Sequence, residues 1–406
     1  MNRRVEKFLS TVCLIFALGP TIASAQSAST AEELDCGNRR GRIVGSEFLG
    51  SATRDDIAQF LATIGWPSGG VRSGVSMRRL VYTTIDAHGT STVASGLLAL
   101  PTDVEPVGVV WFGHGTSAAR SGQSVPSTPG LGQGPGVAAL FAAGGFALVA
   151  PDYVGLGLSP GPHPYLHRAT EASASLDLLT AARRAAQEEK VILPQSVYLT
   201  GFSQGGQAAL ALDHAIETEL DSRWRVVAVA PIAGPYDLSG SEFPGLTDGS
   251  GPTNSAYLAY LAVSYIQIYG TESVSDVFAP PYDNQIPPLF NGEHGLEQIA
   301  QILPPPRTLF RPDFLAAVRA GTHPFASQLR ANDTIDVRSR AAVRLYYGDA
   351  DIDVVPRNSQ VAAMAMKAAG VQVVAVDLGA SVDHPAAFYL GMPEVRAWFD
   401  ELAVQR

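Results

Sequence analysis

Six short apolar runs, each bounded by Gly or Pro, recur along the chain: VGVVWFGHG (107–115), FALVAPDY (146–153), SVYLTGFS (196–203), VVAVAPIAG (226–234), AAVRLYYGD (341–349) and VQVVAVDLG (371–379). Near-continuous Val, Ala and Leu over so few residues suits strands covered on both faces, which alternating half-exposed strands do not show. Ala-rich stretches with helical character lie between or after several of them, at 170–189, 206–220, 357–369 and 386–404. Strand and helix in alternation predict a mostly parallel sheet with helices on both faces. The stretch from Met77 to Pro101 holds two β-rich runs around His88-Gly89, which predicts an antiparallel hairpin at the start of that sheet. Residues 26–75 read as a mixed lead-in. With 406 residues, 46% of them hydrophobic, there is material for a large core, and on length alone for one to three domains.

The rhythm fails between residues 239 and 340, where no buried strand is legible. This interval carries the proline clusters Pro280-Pro281, Pro287-Pro288 and Pro304-Pro305-Pro306, and an apolar helix candidate, AYLAYLAVSYIQIYG (256–270). So long an interval inside a compact domain is expected to hold its own helices, as a cap or lid on the sheet or as a second structural unit. The expected division is a core of 26–238 and 341–406 with a cap at 239–340.

At the N-terminus, Arg3, Arg4 and Lys7 precede an apolar run from Phe8 to Leu18 and the small residues Ala23-Ser24-Ala25. That layout is a secretory signal peptide over 1–25, too short to span a bilayer comfortably, and it predicts a secreted or periplasmic protein with no membrane span in the mature chain. Cys13 lies in the signal, so Cys36 is alone after cleavage and no internal disulfide is expected; no Cys/His cluster suggests zinc. A net charge of −10, with no basic run longer than a pair, argues against nucleic acid or an anionic membrane surface as partner. Oligomeric state is not legible.

Chemistry enters at Gly201-Phe202-Ser203-Gln204-Gly205. G-x-S-x-G alone is a weak pattern, but here it follows a β-rich run and opens an Ala/Leu-rich helix, the setting a nucleophilic serine on a sharp strand–helix turn requires. The serine needs a base. Of eight histidines, His384 is the one that follows the last two strands, in DLGASVDHPAAF, where a loop returns it to the serine. The base in turn needs a carboxylate to fix its tautomer. GDADIDVVP (348–356) stands after the penultimate strand, and Asp351, three residues past Gly348, is the favoured acid. Asp353 is the main rival, and Asp349, Asp237 and Asp383 remain in play. A calcium loop counted from Asp349 would need Gly and Glu where Val354 and Gln360 stand, so that reading is set aside. The oxyanion donors expected are the backbone N–H of Gln204 and, from the glycine-bearing loop 113–116, that of Thr116, with Gly115 as an alternative. Arg42-Ile43-Val44-Gly45 looks like a zymogen activation junction, but the order of His, Asp and Ser required for that chemistry is absent.

The serine turn, late acid and final histidine together resemble the α/β-hydrolase fold over about residues 75–404. GHGT at 113, PDYVGLG at 151, HPYL at 163, GFSQGG at 201 and AGPYDLSG at 233 are similar to the secretory lipases of the lipase A type and their bacterial esterase relatives. The resemblance implies hydrolysis of lipid or other acyl esters by Ser203, Asp351 and His384, with no cofactor. The acid loop is one residue longer between acid and proline than the common GxxDxxVP form, which keeps both Asp351 and Asp353 open. Tyr257, Leu258, Tyr260, Leu261 and Tyr265 are candidate acyl-pocket residues. A secreted peptidase or amidase and a non-catalytic binding protein on the same scaffold are the competing expectations.

Overall fold

Along β4 (Val109–Gly113), Val109 and Trp111 enter one hydrophobic layer while Val110 and Phe112 enter another. The same alternation holds in β5 (Ala147–Pro151) and β6 (Ser196–Phe202), as the two-residue period of a strand dictates. One sheet therefore separates two cores. The computed structural model describes residues 40–121, 124–125, 132–218, 223–249 and 251–405; the expected export signal at 1–25, Cys13 and Cys36 lie outside them.

The remaining strands are β1 (Ile43–Ala52), β2 (Val75–Ile85), β3 (Ser91–Pro101), β7 (Arg225–Ile232), β8 (Ala342–Tyr347) and β9 (Val373–Asp377). Their order across the sheet is β1-β2-β3-β5-β4-β6-β7-β8-β9. β1, β2 and β3 join antiparallel, and β3 meets β5 antiparallel; from β5 to β9 every neighbour pairs parallel. Seven helices matter to the argument: α1 (Arg54–Ile64), α2 (Gly134–Phe141), α3 (Arg168–Glu188), α4 (Gln204–Thr218), α5 (Asn254–Tyr269), α6 (Arg357–Ala368) and α7 (His384–Val404). α1, α2 and α7 cover one face of the sheet, while α3, α4 and α6 cover the other. This is the α/β-hydrolase architecture that the sequence resemblance implied.

Two elements at the start went unread in sequence. β1 is one edge strand, mostly exposed or half-buried, and irregular in register between Ile43 and Gly45 and between Phe48 and Gly50, so its two-residue period is broken. β9, at the other edge, is also half-exposed, unlike the both-face burial its run 371–379 predicted, because no strand covers its far side. The Arg42–Gly45 decoy leads into this strand. α1 is announced only by a capping box, in which the Thr53 side chain accepts from the Asp56 N–H and the Asp56 carboxylate accepts from Thr53 N–H.

Between β7 and β8 the chain forms a run of mostly short helices around α5. They share a hydrophobic cluster of their own, including Phe243, Leu261, Phe278, Phe310 and Phe325, which also takes in Ala118, Tyr165 and Leu166 from the strand-end loops. The sheet thus ends, at the carboxyl ends of its parallel strands, beneath a helical layer. The chain passes from β4 to β5 on one side and from β5 across to β6 on the other. This reversal of winding opens a crevice at the strand ends, where open α/β sheets hold their ligands.

Candidate active site

β6 ends at Phe202 and α4 begins at Gln204, so Ser203 alone makes the turn, at φ +56°. A left-handed conformation at a non-glycine residue costs on the order of 1–2 kcal/mol, and its surroundings hold it there. The Ser203 N–H donates to Ile232 O at 2.9 Å on β7, and the Gly206 N–H donates back to Ser203 O at 2.8 Å. Three glycines make room. Gly113 pairs with Gly201 across β4 and β6. A Cβ at Gly201 would lie 2.1 Å from Gly205 O, and a Cβ at Gly205 would lie 1.9 Å from Gly113 O. Backbone meeting backbone at those distances cannot be relieved by a rotamer change, so the spacing of the motif is a packing requirement.

His384 is the first residue of α7, and its ring packs on that of Phe202, the residue before the serine, with centroids 4.6 Å apart. Its Nδ1 lies 2.6 Å from Asp351 Oδ2, with both side chains buried (7% and 1% exposed). Asp351 Oδ1 accepts from the backbone N–H of Asp353 at 3.0 Å and of Val354 at 2.8 Å. Both carboxylate oxygens are therefore committed, and the ring orientation is fixed. The acid loop is tied to the histidine loop by Ala350 N–H to Val382 O (3.1 Å) and Asp349 N–H to Gly379 O (3.2 Å). Gly348 permits the approach, since a Cβ there would fall 2.2 Å from Val382 O. Burial pulls the His384 pKa down, but the charge and hydrogen bond of Asp351, then the charges of Asp353 and Glu242, outweigh it, and the net shift is upward.

The other aspartates have different occupations. Asp353 accepts from the Thr253 hydroxyl. Asp383 caps α7 through Ala386 N–H at 3.0 Å, and Asp237 takes Gly240 N–H at 3.1 Å and the Ser241 hydroxyl at 2.6 Å. Asp349 is exposed.

The loop after β4 flanks the serine. A Cβ on Gly115 would lie 3.1 Å from the Phe202 ring and 3.6 Å from Ser203 Cβ. The Gly115 N–H donates to Gln133 Oε1 at 3.0 Å, which engages it elsewhere. Thr116 follows, its hydroxyl 2.9 Å from Tyr165 OH. Gln204, as the first residue of α4, has one of the backbone N–H groups that a helix start leaves without an intrahelical acceptor. His114 is buried, with Nδ1 2.6 Å from Gly115 O and Nε2 3.4 Å from Asp152 O, as a loop-shaping residue.

Sequence reasoning passed over two buried carboxyls. Glu171 on α3 accepts from Gln204 Nε2 at 2.9 Å, and burial pushes its pKa up to about 8. Glu242 is pushed up to about 8, chiefly by burial, and accepts from Asn358 Nδ2 at 2.6 Å. Neither sits in a motif, and a Glu in a helix reads as surface until its neighbours are known.

The cavity beside Ser203 is about 10 Å³, room for roughly one water, and is lined by Tyr165, Tyr257 and Leu261, with Glu242 and Asp353 also in its wall. Of the apolar residues singled out on the 256–270 helix, Tyr257 and Leu261 reach this cavity, whereas Leu258, Tyr260 and Tyr265 do not line it and pack in the surrounding cluster. A larger cavity of about 330 Å³ lies between the β2–β3 turn, residues 154–164 and α5. It does not include Ser203, which lines the smaller one. Among the described residues no group of three His, Cys, Asp or Glu side chains is placed to hold a metal ion, and no helix is long and apolar enough to cross a membrane.

No protein-family model matches the sequence, and neither does any curated protein. Solved structures do. The rice cell wall degrading esterase LipA from Xanthomonas oryzae is 28% identical, with 90% of this chain and 99% of that chain covered, at a TM-score of 0.80. A candidate hydrolase from Legionella pneumophila is 27% identical over 89% of this chain and 98% of its own, at 0.81. Candida antarctica lipase A, at 14% identity, 85% and 78% coverage and a TM-score of 0.64, shares the fold.

Proposed function

We propose that this chain, an α/β-hydrolase in fold and similar to bacterial esterase and hydrolase structures, cleaves carboxylic esters through an acyl-enzyme on Ser203. The observation that carries this reading is a serine in a left-handed turn between β6 and α4, with a buried Asp351–His384 pair packed on the residue before it. In this reading Ser203 Oγ attacks the ester carbonyl carbon while His384 Nε2 takes the hydroxyl proton. Asp351 keeps the Nδ1 proton facing itself, so that Nε2 presents a lone pair, and stabilises the imidazolium that forms. The backbone N–H groups of Gln204 and Thr116 bind the oxyanion, where charge develops. Collapse of the tetrahedral intermediate breaks the bond to the alcohol oxygen, which leaves with the proton from His384. Water then attacks the acyl-enzyme, losing a proton to His384; as the second intermediate collapses and the Oγ–C bond breaks, His384 returns that proton to Ser203 Oγ and the carboxylic acid departs.

We assign residues 239–340 as a cap over the strand ends. The cavity beside Ser203, about 10 Å³, is smaller than a short acyl chain, so we assign Tyr257 and Leu261, the residues of α5 in its wall, as the cap side chains that yield to substrate. The 1–25 sequence supports export. The LipA neighbour, by its name an esterase, favours esters over amides as substrates for this chain. Ser203→Ala tests the reading: the protein should keep its unfolding temperature, lose hydrolysis of p-nitrophenyl esters and no longer react with a fluorophosphonate. Retained turnover refutes it, and faster cleavage of aminoacyl amides than of esters would move the assignment to a peptidase.

A further inference from the structure

The two proposed oxyanion donors come from different parts of the fold, Thr116 from the loop after β4 and Gln204 from the start of α4. An oxyanion is held by both only if each N–H lies about 2.7–3.1 Å from one point. Something must fix their separation, and one three-residue segment, His163-Pro164-Tyr165, touches both.

At one end of the segment, His163 Nε2 lies 2.7 Å from Gln204 Nε2. Burial drives the His163 pKa down to about 4, so the ring is neutral. Its Nδ1–H is directed at Val154 O at 2.7 Å, which leaves the Nε2 lone pair to accept from the Gln204 amide. The second amide hydrogen goes to Glu171 Oε1, so both donors of the Gln204 side chain are fixed. At the other end, Tyr165 OH meets the Thr116 hydroxyl at 2.9 Å. The Tyr165 ring is stacked on Tyr260 of α5, with centroids 4.4 Å apart and planes 7° from parallel, and Tyr260 OH donates to Ser117 O at 3.2 Å. The segment itself is stiff: Pro164 fixes one φ, the Tyr165 N–H donates to His163 O at 2.9 Å, and Leu166 follows at φ +53°. Both His163 and Tyr165 are 4% exposed.

We propose that His163-Pro164-Tyr165 is a brace that sets the spacing and direction of the two oxyanion donors, gripping Gln204 by its side-chain amide and Thr116 by its hydroxyl. His163 and Tyr165 are thus positioning residues for the acyl-transfer reading on which this inference rests. Buried apolar contact alone would stabilise the same loops, but it is not directional, whereas a hydrogen bond fixes orientation as well as distance.

The Tyr165–Thr116 bond is removable from either side. Tyr165→Phe keeps the ring stack, and Thr116→Val keeps the backbone N–H and the side-chain shape. Removing an oxyanion donor outright costs 10²–10³ in kcat, so a displaced donor is expected to cost about tenfold. Each variant should lower kcat on p-nitrophenyl butyrate about tenfold, with KM within about twofold, and raise the Ki of benzeneboronic acid by the same factor as kcat falls. The boronic acid forms a tetrahedral adduct on Ser203 and therefore reports on the oxyanion site, whereas unfolding temperature should not move. Because both changes delete one bond, the double variant should be no worse than either single. His163→Leu should cost kcat to a similar extent. If it does not fold, the Tyr165–Thr116 cycle decides the matter by itself. Unchanged kcat and Ki in an active background, a rise in KM alone, or multiplying losses in the double variant overturn the brace while leaving the ester hydrolase standing. Wild-type protein inert to every ester and to a fluorophosphonate overturns the hydrolase reading and the brace together.

Discussion

Replacing Asp351 by Asn tests the core of the site without changing its shape. In the native loop, Oδ1 of Asp351 accepts two backbone N–H groups, from Asp353 and Val354, and Oδ2 faces His384 Nδ1 at 2.6 Å. An asparagine has one oxygen for these duties. The two backbone donors demand it, so the amide NH₂ turns toward the imidazole. Nδ1 must then accept, the ring proton moves to Nε2, and the atom that should receive the serine proton already carries one. The alternative flip restores the Nδ1 bond but sets the NH₂ against two buried N–H groups, at about 1–3 kcal/mol for each one left unpaired. The first outcome is cheaper, and a wrong tautomer in a serine triad costs about 10⁴ in kcat, or about 5.4 kcal/mol in the barrier. Asp351→Asn should therefore lower kcat for p-nitrophenyl butyrate by 10³–10⁴-fold. Circular dichroism and unfolding temperature should stay close to wild type, because the loop keeps its bonds. Asp353→Asn, which leaves the Asp351–His384 pair intact, should change kcat less than about tenfold by comparison. The reasoning fails if Asp353→Asn is the more damaging, or if Asp351→Asn retains more than a few per cent of wild-type turnover.

Three further outcomes follow from the geometry. Since Asp351, Asp353 and Glu242 raise the His384 pKa against the lowering effect of burial, and since the base works as neutral imidazole, the acid limb of kcat/KM should fall above pH 6.5; Asp353→Asn should move that limb to lower pH, and a pH–rate profile checks both. Gly205→Ala places a methyl 1.9 Å from Gly113 O with no side chain able to yield, so denaturant unfolding should show a loss of about 3 kcal/mol or more together with loss of activity. Glu171 holds its proton up to about pH 8 in the folded protein against an ordinary value of 4.5; the folded state binds more protons between those values, and stability should decline there as pH rises, by up to about 1.4 kcal/mol per pH unit. Glu171→Gln removes that contribution, so its unfolding temperature relative to wild type should be higher at pH 8.5 than at pH 5, and an unchanged difference would show that Glu171 is not held protonated.

The inner strands β4 to β7 were legible because both of their faces are apolar. No competing period disturbs a run such as VVWFG, and burial on both sides is what such a run requires. β1 was not, because an edge strand with an exposed face and two register irregularities carries no clean period. The order of Ser203, Asp351 and His384 along the chain followed from topology, since the three stand after β6, β8 and β9 of one sheet. The pairing was a different matter. Asp351 and Asp353 are chemically identical and two residues apart, and sequence left both open. The choice depends on which carboxylate the turn after β8 points inward, which is decided by the close approach of Gly348 to Val382 and the backbone bonds that tie the two loops.

Sequence by itself determined the layered α/β architecture, the strand–serine–helix turn and the candidate serine and histidine, because each is written in local spacing: a buried strand in its composition, a tight turn in its glycines. Tertiary structure alone decided which aspartate meets the histidine. It also buried Glu171 beneath Gln204 and brought His163 and Tyr165 against two loops more than 35 residues away. Those contacts rest on distance in space between segments remote in sequence, and hydrophobic periodicity carries no record of them.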